Sequence, residues 1–345
     1  MPSSIKPPPP PEAETPAAAA PAAPKEPKEP RERSGRGVLI GIGVAVVIAA
    51  VVGYLAGDPG DSGESAGGKP TAAATSADVE ALFPKGWTKA AGAPEIPGTT
   101  FSEPVAMKPP EAKGGQSVVF GQVKEGAANP TLLSAGFLEA LGLDPGEVPP
   151  REAVQLSRSK LQAYRYPNLR PNGLDDAVTI FTVPTSAGIA TLACVDPGAD
   201  CEAIANTLKL NAGTAFAVGP SKDYAADVGG VLGGLNKQIK SGRADMRSAK
   251  TPKAQAAATA RVASAYNGAS KAVAGLEVSP ADATNNTQLA ASLKETGAAY
   301  GKLAAAVRSG NKSRYEKAKT PVQQGEQAVT GALGGLEAAG YKVAT

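Results

Sequence analysis

The chain has 345 residues with 40 glycines and 31 prolines, more than one compact domain usually contains, so linkers are expected. It contains no histidine, which excludes the commonest general base, the commonest metal ligand and every catalytic triad that depends on an imidazole. The formal net charge is only +3, but residues 58–220 carry 12 Lys and Arg against 18 Asp and Glu, whereas residues 221–345 carry 17 against 9.

Residues 1–37 are predicted to form a disordered, proline-rich arm. The first 30 residues hold 11 of the 31 prolines and almost no large apolar side chain. Pro24, Pro27 and Pro30 recur every third residue, as along one face of a polyproline II helix. A solvated spacer is the simpler interpretation, and a cytoplasmic partner that binds this face is the alternative.

Residues 38–57 are predicted to form one transmembrane helix. They contain no charge, and twenty residues at a rise of about 1.5 Å each match a hydrocarbon core about 30 Å thick. Basic residues such as Arg33 and Arg36 precede the segment, and Asp58 and Asp61 follow it. This bias predicts a cytoplasmic N-terminus and an extracytoplasmic remainder. A cleaved signal peptide is the alternative, but its apolar core is shorter.

Residues 58–77 are small and polar and are predicted to be a flexible linker, followed by an α+β domain at 78–220. Four alternating runs, 116–123, 161–166, 177–183 and 189–195, predict strands of an antiparallel sheet. Two shorter segments, one around Leu132–Leu141 and one from Asp200, predict helices.

Residues 221–345 are predicted to form an alanine-rich, antiparallel helical bundle. Apolar residues recur at spacings of three and four, and Thr251 before Pro252 and Ser279 before Pro280 are expected to cap two of the helices. Gly310 is expected to end the third helix, and Pro321 to kink or split the fourth. The positive charge of the bundle could serve to dock the acidic α+β domain or, equally, to bind an acidic external partner.

No residue pattern names a reaction. Ser157 and Lys160 have the spacing of a serine–lysine pair, but the alternating pattern around them predicts opposite faces of a strand. Asp175 and Asp176 are adjacent, so a turn is favoured over an acid–base pair, and Trp87 is predicted at the core or its edge. No catalytic residue, metal or cofactor is predicted.

One polar stretch is a candidate ligand pocket. It would form if the loop before Asp175 folds over the sheet, and an ordinary half-exposed strand is the alternative. The candidate residues are Tyr164, Arg165, Tyr166, Asn168 and Arg170.

Cys194 and Cys201, the two cysteines of the chain, surround an Asp-Pro-Gly turn between a predicted strand and a predicted helix. The predicted location outside the cytoplasm and the even number favour a disulfide. Zinc would need two more soft ligands, which the composition does not supply, and a catalytic disulfide usually has the C-x-x-C spacing.

The sequence from "VTIFTVPTSAGIATLAC" through "CEAIANTLKL" and "AAYGKLAAAVRSGN" to "LGGLEAAGYKV" resembles non-catalytic extracytoplasmic regions of actinobacterial membrane proteins, including some receptor-type Ser/Thr kinases. The upstream strand order is similar to that of PsbP-like α+β domains of secreted lipoproteins. The arm of 37 residues has no room for a kinase domain, and the chain has no lipobox cysteine. The resemblance implies an exported sensor or binding module.

Three functions are therefore considered. The first is a single-pass, membrane-anchored binding or sensing module of the cell envelope, which binds an envelope protein or a small ligand and no nucleic acid. The second is a structural scaffold that links cytoplasmic and envelope partners. The third is an envelope hydrolase that uses two carboxylates.

Overall fold

The structure is a computed structural model that describes residues 48–50, 69–92, 94–112, 115–123, 129–144, 147–196, 198 and 200–343. All of them belong to one compact unit, Gly43–Thr345. The predicted arm at 1–37, the predicted membrane helix at 38–57 except Ile48–Ala50, and the first part of the predicted linker lie outside the described residues. No helix among the described residues is both long and apolar enough to cross a membrane.

The elements confirm an α+β fold with antiparallel sheets followed by long helices. The described strands are β1 (Ile48–Ala50), β2 (Ala72–Ser76), β3 (Val79–Phe83), β4 (Thr88–Lys89), β5 (Phe101–Lys108), β6 (Ser117–Val123), β7 (Glu152–Gln155), β8 (Gln162–Leu169), β9 (Val178–Thr185), β10 (Gly188–Val195), β11 (Lys209–Leu210) and β12 (Tyr341–Val343). The described helices are α1 (Ala135–Ala140), α2 (Asp200–Ala205), α3 (Lys222–Ser248), α4 (Pro252–Ala274), α5 (Ala283–Arg308) and α6 (Lys312–Ala338).

A seven-stranded antiparallel sheet forms the centre of the α+β part, in the order β4-β5-β6-β10-β9-β8-β7. Its three middle strands are buried on both faces, because separate groups of apolar side chains cover each side. Phe83, Phe120 and Leu192 pack on one face together with α2. Phe137 of α1 and Tyr166 pack on the other. The sheet is therefore an interior layer rather than a half-exposed one.

The predicted linker at 58–77 is wrong at its C-terminal end. Ala72–Ser76 pairs with β3 in a three-stranded sheet, and β11 pairs with β3 on its other side. The hydroxyl of Ser76 is buried and donates a 2.5 Å hydrogen bond to the carbonyl of Glu103. Alanine and threonine carry too little apolar surface to mark such a strand by alternation, so its position depends on the partner strand.

Strand β1 falls inside the predicted membrane helix and pairs antiparallel with β12, with Ile48 opposite Val343. The structure therefore differs from the predicted helix at these three residues. An apolar segment that no polar residue interrupts is compatible with a strand as well as with a helix, and hydrophobic periodicity alone does not distinguish the two.

The four long helices form a bundle in which helices adjacent in sequence pack on one another. The side chain of Thr251 caps α4 by accepting a hydrogen bond from the amide of Ala254, as predicted. Gly310 follows α5 with φ +65°, the left-handed conformation predicted for it.

Two details of the bundle differ from the prediction. Helix α5 begins after Asp282 rather than at Pro280, and the carboxylate of Asp282 makes no capping hydrogen bond because it accepts one from Tyr341 instead. Helix α6 runs through Pro321 without being split. The cost of the missing backbone donor is offset by the buried residues that follow it, Val322 and Leu333 among them.

The α+β part and the bundle meet at the end of the bundle where α3 begins. The amide of Val218 donates to the side-chain carbonyl of Gln162, and Ala281, in the loop between α4 and α5, packs against the apolar group that contains Tyr166. The amide of Ser221 donates to the Tyr341 hydroxyl at 3.0 Å. This contact brings the start and the end of the bundle together.

Candidate functional site

The corner between β10 and α2 contains a disulfide that links Cys194 to Cys201, with their Cα atoms 6.1 Å apart. This confirms the predicted pairing. Both cysteines are buried, and they belong to the apolar group that includes Leu192 and Ile204. A bridge between residues seven apart restricts the unfolded chain only modestly, which corresponds to about 2–3 kcal/mol.

A small cleft lies beside this disulfide and has a volume of about 120 Å³. Trp87, Ser117, Asp196 and Asp200 contribute to its lining together with both cysteines. Trp87 is half-buried and its ring centroid lies 5.5 Å from that of Phe83, at the edge of the core as predicted. Pockets for small-molecule ligands usually have volumes of about 300–1,000 Å³, so this cleft fits a single side chain or a ligand of a few atoms.

The five residues of the candidate ligand pocket are divided by the sheet. Tyr164 and Tyr166 are buried on one face, with their ring centroids 6.3 Å apart. Arg165, between them, points to the other face. Asn168 is exposed within an irregularity in the pairing of β8 with β9, and Arg170 is exposed just after it. The structure therefore brings the two tyrosines together and does not gather all five residues around one cavity.

Arg151 contacts both tyrosines, although the sequence does not indicate it as a candidate residue. Its guanidinium lies 3.9 Å from the ring centroid of Tyr164 and donates to the hydroxyl of Tyr166 at 3.3 Å. The Tyr166 hydroxyl in turn donates to the carbonyl of Thr131. Burial raises the pKa of Tyr166 to about 12, so the hydroxyl acts as a neutral hydrogen-bond partner. An arginine that follows two prolines carries no sequence signal of such a contact.

Arg165 connects two elements on the opposite face. Its guanidinium contacts the carboxylate of Glu152 at 2.9 Å and that of Glu202 at 2.6 Å. Glu152 lies on β7 and Glu202 lies on α2, so the arginine joins a strand at the edge of the sheet to the disulfide-linked helix. Arg165 is half-buried but both glutamates are exposed to solvent, so each pair contributes at most about 1 kcal/mol.

The other sequence candidates lie in turns. Ser157 and Lys160 are exposed in the connection between β7 and β8, where Lys160 has φ +60°. Asp175 and Asp176 lie in a bend before β9. In the part of the chain that the structure describes, no group of three or more Asp, Glu or Cys side chains is arranged to hold a metal ion.

Asp282 is a buried acid at the junction between the sheet and the bundle. Only 3% of it is exposed, and its carboxylate accepts a 2.8 Å hydrogen bond from Tyr341. Burial raises its pKa to about 6, and the hydrogen bond from Tyr341 opposes that shift. The ring of Tyr341 packs edge-on against Tyr224, whose hydroxyl donates to the side-chain carbonyl of Asn286 at 3.2 Å. The junction therefore contains hydrogen-bonded polar groups among packed apolar side chains.

A second polar cluster takes one side chain from each long helix. Arg243 of α3 contacts the carboxylate of Glu326 on α6 at 2.5 Å, and the Tyr300 hydroxyl of α5 donates to the same carboxylate at 2.7 Å. Tyr266 of α4 stacks on Tyr300 with ring centroids 5.4 Å apart. Burial raises the pKa of Tyr300 to about 12, and the Glu326 carboxylate adds to the shift. This cluster fixes the mutual register of the four helices.

No protein-family model, no curated protein and no solved structure matches this chain.

Proposed function

We propose that this protein is a non-catalytic binding or sensing module of the cell envelope, anchored to the membrane through its uncharged apolar segment, with the α+β part and the bundle outside the cytoplasm. The observation that carries the proposal is the disulfide between Cys194 and Cys201. Disulfides persist in oxidising compartments and are rare in the cytosol. The uncharged segment at 38–57 and the basic residues before it support the same orientation.

The arrangement of the polar residues supports binding rather than catalysis. The buried tyrosines and the half-buried arginines already have partners within the protein, as in the contacts of Arg151 with Tyr164 and of Arg243 with Glu326. The cleft beside the disulfide contains two carboxylates, but its volume of about 120 Å³ is too small for a polymeric substrate. We therefore do not propose the carboxylate hydrolase. The resemblance to extracytoplasmic regions of actinobacterial membrane proteins agrees with a binding role.

A structural scaffold is the second candidate, and the length of the bundle favours it. Helices α3 and α6 each have 27 residues, which corresponds to about 40 Å at 1.5 Å per residue. A rod of that length on the outer side and a proline-rich arm on the inner side would separate two binding partners. Recovery of one partner by the arm and of another by the bundle would support this function over a single binding site.

Cysteine labelling on intact cells tests the orientation. Cys194 and Cys201 are bridged and at most 5% exposed, so a new cysteine can be labelled selectively with a membrane-impermeant maleimide. We expect Ser313→Cys, at an exposed position of α6, to react in intact cells, and Ala18→Cys, in the arm, to react only after permeabilisation. Reaction of Ala18→Cys but not Ser313→Cys in intact cells would refute the orientation.

Affinity capture tests the binding role. The full chain, solubilised in a nonionic detergent, would be immobilised through a tag on the arm and incubated with envelope extracts. We expect retention of a defined protein or small molecule that resists washing with neutral detergent. Failure to retain any component above the level of a tagged, unrelated membrane protein would argue against both non-catalytic functions.

A further inference from the structure

The positive charge of the bundle is concentrated at one end. We call residues 240–261 and 302–319 the basic tip. This tip contains 12 of the 17 Lys and Arg of residues 221–345, but only two of the nine Asp and Glu, Asp245 and Glu316. The rest of the bundle has five basic and seven acidic residues, so the tip accounts for the whole positive balance.

The topology of the bundle brings these residues together. Helix α3 ends and α4 begins within the tip, and the Arg261 guanidinium contacts the Asp245 carboxylate across that turn at 2.8 Å. Helix α5 ends and α6 begins there as well, at Arg308 and Lys312. Since adjacent helices pack antiparallel on one another, the two turns lie at the same end of the bundle.

Most of the charge at the tip is unneutralised. Arg261 pairs with Asp245, Lys319 with Glu316, and Arg243 with Glu326. Nine further residues are exposed and make no ion pair within the part of the chain that the structure describes. They are Lys240, Arg247, Lys250, Lys253, Lys302, Arg308, Lys312, Arg314 and Lys317.

This charge does not serve to dock the α+β part of the same chain. That part contacts the opposite end of the bundle, through Ala281 and through Val218 just before α3. The 27 residues of α3 separate the two ends by about 40 Å, several times the screening length of about 8 Å at physiological salt. The basic tip is therefore available to an external partner.

The surface of the tip restricts the kind of partner. Tyr315, the aromatic residue of the tip, is half-buried against the bundle core, so no aromatic platform is available to stack nucleobases. Within the described residues the exposed large hydrophobic side chain is Val148, in the α+β part, so the tip offers no apolar anchor for a bilayer. A blunt end of four helices about 10 Å apart is also wider than the major groove of about 12 Å.

We infer that the basic tip is a binding surface for a linear polyanion, a flexible chain that carries a phosphate or carboxylate group on each repeat. Such a chain needs neither a stacking platform nor an apolar anchor, and it can follow cations spread over two turns of a convex surface. Binding of this kind is driven by the release of counterions and weakens steeply with salt. The inference does not depend on the membrane topology, because the charge belongs to the folded bundle.

Charge removal at the tip, compared with the same charge removal elsewhere, tests the inference. The tip variant combines Lys250→Gln, Lys253→Gln, Lys312→Gln and Lys317→Gln. The control variant combines four substitutions at exposed lysines outside the tip, Lys222→Gln, Lys271→Gln, Lys294→Gln and Lys342→Gln. Both variants lose four positive charges, and glutamine has a helix propensity close to that of lysine.

The affinity of the full chain in nonionic detergent would be measured for fluorescent polyphosphate and for polyglutamate at several salt concentrations. We expect the tip variant to bind polyphosphate at least ~10-fold more weakly, with a salt slope smaller by about 2–4, and the control variant to bind within ~2-fold of the parent protein. If polyglutamate binding also depends on the tip lysines and on salt, the tip binds polyanions of either chemistry. If only polyphosphate binds, the partner is a phosphate polymer.

Three results would overturn the inference. The first is an equal loss of polyphosphate affinity in the control variant, which would show that binding depends on the total charge and not on the tip. The second is binding of a DNA duplex or of anionic lipid vesicles at far lower concentrations than polyphosphate, with the same dependence on the tip. The third is tip-dependent self-association of the parent protein without polyphosphate binding, which would make the acidic α+β part of a second copy the partner.

Discussion

Tyr341, on the last described strand, donates a 2.8 Å hydrogen bond to Asp282, which lies 59 residues earlier in the chain. The contact has two consequences. It diverts the aspartate from capping α5, and it supplies a donor to a carboxylate that is almost completely buried. A buried carboxylate with a raised pKa makes the stability of the protein depend on pH.

Asp282→Asn is expected to stabilise the protein at neutral pH. The folded-state pKa of about 6 exceeds the ordinary value of 3.8, so stability is greatest below pH 4 and is lost as pH rises through 6. Above that pH the ionised acid costs about 3 kcal/mol, and an asparagine would avoid this cost while its side-chain carbonyl still accepts from Tyr341. Urea unfolding at pH 5 and pH 7.5 measures the effect.

The control for this prediction is Asp175→Asn at an exposed position. The chain contains no histidine, so few other groups titrate between these two pH values. A parent protein whose free energy of unfolding is the same at both pH values, or an Asp282→Asn protein that is less stable at pH 7.5, would contradict the assignment.

Removal of the disulfide is expected to lower the free energy of unfolding by about 2–3 kcal/mol without unfolding the protein. The variant would combine Cys194→Ala with Cys201→Ala, because alanine leaves no buried polar group. Unfolding would be followed with and without dithiothreitol. The reductant should destabilise the parent protein and have no effect on the variant; a reductant effect on the variant would show that another process is responsible.

Removing one partner of the ion pair between Arg243 and Glu326 is expected to lower the free energy of unfolding more than substituting both partners together. Arg243→Met or Glu326→Gln alone leaves a half-buried charge without its partner and should destabilise the bundle by about 2–4 kcal/mol. The double substitution should cost less than the sum of the two single ones, because neither charge then remains. If the double variant loses as much stability as the two single variants added together, the double-mutant cycle would exclude coupling between the two side chains.

Two glycines of α6 are expected to respond in opposite directions to alanine. A Cβ at Gly325 would lie 3.0 Å from the Cα of Thr296, so α5 and α6 would have to separate. Gly325→Ala should destabilise by about 1–3 kcal/mol. Gly334 has open space around it, and Gly334→Ala should stabilise by about 0.5–1 kcal/mol through helix propensity. Thermal melting of both variants measures these effects. A higher melting temperature for Gly325→Ala would refute the close contact between α5 and α6.

The sequence contained clear information about elements that depend on local chemistry. Strand β9 is rich in β-branched and aromatic residues, and Thr251 and Gly310 are residue types that begin and end helices through their own conformational preferences. The disulfide could be predicted as well, because two cysteines in a chain without histidine lack the further ligands that a zinc site needs, and the location predicted for them is oxidising.

Features that depend on distant residues could not be predicted. Strand β2 consists of small residues and is defined by its pairing with β3. Helix α5 begins after Asp282 rather than at Pro280, and the carboxylate of Asp282 accepts a hydrogen bond from a tyrosine far along the chain. Arg151 stacks on Tyr164, thirteen residues away, and only the pairing of β7 with β8 brings their segments together. The position of the basic tip likewise requires the antiparallel order of the helices.

The chain enters the bundle at Ser221 and leaves it at Tyr341, and these two residues are joined by a single hydrogen bond. Asp282, halfway along the bundle, is fastened to the same tyrosine. A pulling force applied to the chain on either side of the bundle would therefore act across this short path before it reached the four helices. We expect this junction to bear such a force first, and the four helices to be loaded only after its hydrogen bonds have broken.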